Sequence, residues 1–87
     1  MSKRDKLSDR FQSIPGDFTW EELVAVLGYY GYKEISAGKT SGSRRRFSDK
    51  DQNLIRIHKP HPQNVVEKYA LREVLQSLID RGQVKDE

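Results

Sequence analysis

The 87-residue sequence contains no cysteine, only three prolines, and no apolar run long enough for a membrane-spanning helix. Without cysteine, the chain has no disulfide, no thiolate zinc ligand and no thiol nucleophile. Apolar residues make up only 34% of the chain and charged residues 33%, so the hydrophobic core is expected to be small. The length fits one domain and is too short for a complete dinucleotide-binding domain.

The two ends of the chain are polar. The first ten residues are mostly charged and lack the apolar stretch of a signal peptide, so we expect a cytoplasmic protein that has no membrane partner. A flexible tail is predicted over residues 1–17 and a short polar tail over residues 83–87. Residues 18–82 then form the folded domain.

Basic side chains are concentrated in the middle third of the chain. Between residues 32 and 61 there are eight basic and three acidic side chains, a local charge of +5 in a chain whose net charge is +3. A basic centre between mildly acidic ends is typical of a protein with an anionic partner such as nucleic acid. A solvated basic surface without such a partner is the alternative.

Hydrophobic periodicity predicts two amphipathic helices, over residues 20–30 and 67–81. Thr19 and Glu22 have the spacing of a capping box at the start of the first helix. Three short strand-like runs lie between the helices, over residues 32–37, 43–47 and 53–58. The order α-β-β-β-α predicts an α+β fold, in which two helices pack on one face of a three-stranded antiparallel sheet.

The open face of this sheet is the candidate functional surface. If Phe47, Ile55 and Ile57 face the helices, alternate residues of the same strands point away from them. A shift of one residue in the register would reverse the assignment. The residues assigned to the open face in this way are Arg44, Arg46, Arg56 and His58.

Three consecutive arginines, at positions 44–46, begin the second predicted strand. Arginine makes bidentate contacts with phosphate and stacks on bases, so the triplet favours nucleic-acid binding. Salt bridges to the nearby Asp49 and Asp51 are the alternative.

Two histidines, His58 and His61, lie at the end of the third strand and in the proline-containing loop after it. Histidine ordinarily titrates near neutrality, so either residue suits proton transfer from a ribose 2′-hydroxyl group. Both could equally be ordinary surface residues. A metal site needs more ligands than this pair supplies, and we expect none.

Three stretches, residues 27–32 (LGYYGY), 41–47 (SGSRRRF) and 61–75 (HPQNVVEKYALREVL), occur in an order that resembles the HicA toxin family. The resemblance extends over about residues 18–81. It implies a fold similar to the double-stranded RNA-binding domain, in agreement with the order predicted from periodicity. It also implies an mRNA-cleaving toxin that a HicB-like antitoxin neutralises.

The family's usual Gly-Ser-His motif is Gly-Ser-Arg here, with Arg44 in the place of the histidine that the family is taken to use in catalysis. Arginine stays protonated and is a poor general base, but it binds phosphate. A metal-independent nuclease would then rely on His61, which matches the family's second histidine, or on His58. No cofactor is expected. The expected RNA-binding residues are Ser43, Arg44, Arg45, Arg46, Arg56, Lys59 and Lys68.

Three functions therefore remain open. The first is a toxin that cleaves RNA. The second is a catalytically inactive RNA-binding module, which the arginine at position 44 favours. The third is a protein-interaction adaptor that docks through the open sheet face, where Leu54 is expected.

Overall fold

A computed structural model describes residues 3–35, 44–60 and 63–84. The helices and strands of these residues are α1 (Lys3–Gln12), α2 (Trp20–Tyr29), β1 (Lys33–Ile35), β2 (Arg44–Ser48), β3 (Leu54–His58) and α3 (Lys68–Asp80). The strands form one antiparallel sheet in the order β1-β2-β3. The predicted α+β class and the α-β-β-β-α order are confirmed, and α1 precedes them.

The core lies between one face of the sheet and the helices. Phe47, Ile55 and Ile57 are almost fully buried on this face. The ring of Trp20, at the start of α2, lies 5.8 Å from that of Phe47. The apolar stripes of the two predicted helices complete the cluster, so their spacing correctly marks the buried side of each helix. The stripe residues in the cluster are Leu23, Val26, Leu27, Leu71, Val74 and Leu78.

The N-terminal segment differs from the predicted flexible tail, because α1 packs on the domain. Phe11 is completely buried, and its ring centroid lies 5.9 Å from that of Phe18. The Arg10 guanidinium donates hydrogen bonds to Glu22 at 2.7 Å and to Asp17 at 2.6 Å. It also lies over the Phe18 ring. Residues 3–17 therefore belong to the folded unit.

The local sequence gives little sign of α1. Leu7 and Phe11 are its only apolar residues, so there is one i, i+4 pair rather than a stripe. Its helical order depends on contacts with residues that follow in the chain, and periodicity does not detect such contacts.

The C-terminal tail predicted over residues 83–87 also starts too early in the chain, because Gln83 and Val84 contact the folded domain. Val84 is 6% exposed and belongs to the core cluster. The Gln83 side chain accepts a hydrogen bond from the Tyr32 hydroxyl at 2.7 Å and donates one to Asp49 at 2.9 Å. These contacts tie the end of α3 to the start of β1 and to the β2–β3 turn.

The predicted capping box is present at the start of α2. The backbone N–H of Glu22 donates to the Thr19 hydroxyl, and the backbone N–H of Thr19 donates to the Glu22 carboxylate at 2.9 Å. The hydrogen bond from the Thr19 backbone is the largest cause of a lowered Glu22 pKa, and the hydrogen bond from Arg10 lowers it further. Ionised Glu22 therefore stabilises both the cap and the docked α1.

We expect Glu22→Gln to lower the free energy of unfolding at neutral pH by about 1 kcal/mol. Because folding lowers the Glu22 pKa, its contribution is present above the ordinary value of 4.5 and is lost as the pH falls through the folded value. The variant should therefore lose less stability than the wild type below about pH 4.5. Urea unfolding at a series of pH values measures both effects. Glu73→Gln, which removes an exposed carboxylate from α3, is the control, and identical pH curves for the two variants would contradict this role.

Candidate functional site

The register of β2 and β3 brings the predicted open-face residues together. Arg44 is paired with His58 and Arg46 with Arg56, and paired residues of antiparallel strands point to the same side of the sheet. Along β3 exposed and buried residues alternate, with Ile55 and Ile57 on the buried side. The four side chains therefore share the face that the described helices leave open.

Strand β1 extends this face. Lys33 is paired with Ser48 and Ile35 with Arg46, so both β1 residues point to the open side. The residues of this surface, which we call the cationic face, are Lys33, Ile35, Arg44, Arg46, Ser48, Leu54, Arg56 and His58. Four of the eight are lysine or arginine and none is acidic, so the face favours a polyanion.

Sequence reasoning did not place Lys33 in the site. Its place depends on the register between β1 and β2, and a shift of one residue would move it to the other face. Period-two alternation of β1 was the available signal. It was weak, because all three β1 residues are exposed and no buried position marks the helix side.

The Arg44–His58 pair is the most informative feature of the cationic face. Directly opposed residues of an antiparallel pair have Cβ atoms about 5 Å apart. A guanidinium, which is a group suited to phosphate, therefore lies beside an imidazole, which is a group that can accept or donate a proton. This neighbouring pair can hold an anionic group and move a proton close to it.

The remaining predicted site residues are dispersed. Arg45 pairs with Ile57 and so belongs to the helix side of the sheet, where its Nε atom lies 3.3 Å from Glu34 Oε2. Lys59 is half-buried after β3, and Lys68 is the exposed first residue of α3. The last two predicted positions, Ser43 and His61, lie outside the described residues.

Asp49 is held within the β2–β3 turn. Its carboxylate accepts hydrogen bonds from the Asn53 side chain at 2.9 Å, from the Asn53 backbone at 2.8 Å and from Gln83 at 2.9 Å. The first of these is the largest cause of its lowered pKa. Because these bonds occupy both carboxylate oxygens, Asp49 stabilises the turn that sets the β2–β3 register.

No group of three or more His, Asp or Glu side chains that could hold a metal ion occurs within the described residues. Among the described helices, none is long and apolar enough to cross a membrane.

Comparison with known proteins gives a match to a family model. The family model for "HicA toxin of bacterial toxin-antitoxin" matches residues 20–78, which is more than half of the chain. The matched region begins at α2 and includes the whole sheet, so it contains the cationic face, whereas α1 precedes it. No curated protein and no solved structure matches the chain.

Proposed function

The chain belongs to the HicA toxin family of bacterial toxin–antitoxin systems, and from that membership we propose that it is an RNA-binding toxin that cleaves mRNA. The observation that carries the proposal is the Arg44–His58 pair on the cationic face. Arg44 occupies the position of the family's usual histidine. In this chain a histidine, His58, lies directly across the β2–β3 ladder from Arg44. In the proposed site Arg44 binds the phosphate and His58 transfers the proton, so the two roles lie on neighbouring strands.

In the proposed reaction the RNA strand lies on the cationic face, with the scissile phosphate at Arg44. His58 accepts the proton of the adjacent ribose 2′-hydroxyl group, and the 2′-oxygen attacks phosphorus. The bond from phosphorus to the 5′-oxygen breaks, and the departing 5′-oxygen takes a proton from solvent water, while His58 returns its own proton to solvent. The products carry a 2′,3′-cyclic phosphate and a 5′-hydroxyl group. Arg44 stabilises the charge that develops on the phosphoryl oxygens.

The antitoxin that neutralises this toxin is proposed to be HicB-like and to cover the cationic face. A face with four lysine or arginine side chains favours an acidic partner surface, and the partly exposed Ile35 and Leu54 offer it apolar contacts. Such a partner would compete directly with RNA for the same residues.

The proposal is tested with purified protein, labelled RNA and EDTA, so that only metal-independent cleavage is measured. We expect the double variant Arg44→Glu/Arg46→Glu to bind RNA at least a hundredfold more weakly than the wild type, because two phosphate-binding cations become carboxylates. The wild-type affinity should also fall steeply with salt, as expected when phosphate contacts release counterions. Filter binding measures the affinity for RNA, and gel analysis of the RNA ends measures cleavage separately.

The control is Lys6→Glu/Arg72→Glu, which changes the net charge equally at exposed residues of α1 and α3. Equal loss of affinity in both double variants would contradict a role for the cationic face. Salt-sensitive RNA binding without cleavage would support the second function, an inactive RNA-binding module, which the arginine at position 44 favours. Failure of the wild-type protein to bind RNA would reject both functions.

A further inference from the structure

A groove of about 540 Å³ runs between β3 and α3, beside the cationic face. Its volume is in the range of sites for small organic ligands. Leu54, Arg56 and His58 line the groove and also belong to the cationic face. The two surfaces are therefore continuous over the outer side of β3.

Among the described residues, Tyr69 is the most exposed large hydrophobic side chain, with 58% of its surface accessible, and it lines the α3 wall of this groove. A tyrosine ring exposed beside cations is a suitable platform for a nucleobase, since every base has a π-face and stacking tolerates any sequence. Ala70 and Val65 add apolar surface nearby.

The charges of the groove distinguish where a base and where a phosphate would lie. Arg56 borders the groove on the β3 side, and Lys68 borders it at the start of α3. Gly16 packs closely against the Lys68 side chain, since a β-carbon at position 16 would lie only 3.3 Å from Lys68 Cε. Glu67 and Glu73 also line the groove. Carboxylates repel phosphate but accept hydrogen bonds from the amino groups of bases. The groove therefore suits a base, while the cationic face suits the phosphates.

We propose that this groove is a nucleobase subsite, in which one unpaired base of the RNA on the cationic face turns over β3 and stacks on Tyr69. The inference rests on the proposed function and adds a substrate class to it. Bases within an RNA duplex are stacked and paired and cannot enter such a groove. The substrate is therefore single-stranded at this position, although the family resemblance implies a fold similar to that of a domain that binds double-stranded RNA.

The test uses a short 2′-O-methyl oligocytidylate, which lacks the free 2′-hydroxyl group and so reports binding without cleavage. We expect Tyr69→Ala to weaken its binding about tenfold, because one stacked base is lost. Tyr69→Phe keeps the ring and should bind like the wild type, as should Gln76→Ala, an exposed α3 residue outside the groove. The ring protons of Tyr69 should shift upfield in the NMR spectrum when the oligonucleotide binds.

A 2′-O-methyl duplex of the same length separates this inference from the proposed function. We expect the wild type and Tyr69→Ala to bind this duplex with equal affinity. If Tyr69→Ala binds the single strand normally while Arg44→Glu/Arg46→Glu does not, the RNA-binding face stands and the subsite is wrong, which would leave the groove to a protein partner. An equal loss for single strand and duplex would also reject the subsite. If the wild type binds neither probe, the proposed function itself fails.

Discussion

Replacement of His58 by alanine is expected to lower the rate of RNA cleavage by at least about a hundredfold, the usual contribution of a general acid or base. The affinity for RNA should change much less, because His58 is not one of the four lysine and arginine side chains of the cationic face. Single-turnover cleavage at saturating protein separates the chemical step from binding. The 2′,3′-cyclic phosphate ends report the reaction directly.

Two controls distinguish a catalytic from a structural role of His58. Added imidazole should partly restore cleavage in His58→Ala, because it supplies the missing proton acceptor, whereas a defect in folding would not respond. His61→Ala tests the other histidine predicted from the sequence. If His61→Ala loses cleavage and His58→Ala does not, proton transfer belongs to His61 and the Arg44–His58 pair serves binding alone.

The elements of this fold that are visible in the sequence are those whose pattern repeats locally. The alternation of Ile55 and Ile57 identifies β3 and its buried side, and the apolar stripe ending at Leu78 identifies α3. The helix α1 has no such pattern, because its order depends on Phe11 and Arg10 contacting residues after it. Local periodicity therefore detects an element only when one of its sides is buried along the whole length of the element.

The same distinction applies to the candidate site. Alternation alone assigned Arg44 and His58 to one face, but only the strand register shows that they are opposite each other. Tyr69 lies at the edge of the α3 stripe, so its spacing does not distinguish a core residue from an exposed one. Its exposure depends on β3 lying far enough from α3 to leave a groove, and that distance is set by tertiary packing.

The second large effect is expected in stability, from Phe11→Ala. Phe11 is completely buried against Phe18, so removal of its ring leaves a cavity and should lower the free energy of unfolding by about 3–5 kcal/mol. Small domains have only about 5–15 kcal/mol in total, so the variant should be close to unfolding. Urea unfolding followed by the fluorescence of the buried Trp20 measures the change.

Leu7→Ala is the matched control, because Leu7 lies one turn before Phe11 on the same helix but is only partly buried. Leu7→Ala should lower the free energy of unfolding by about 1 kcal/mol. Removal of residues 1–12 should destabilise the domain at least as much as Phe11→Ala does, since it removes the Phe11 ring together with the Leu7 and Arg10 contacts. A loss below about 1 kcal/mol in both would show that α1 is only loosely docked. The matched family region begins at residue 20, so a large loss would mean that the family domain in this chain depends on a helix that precedes it.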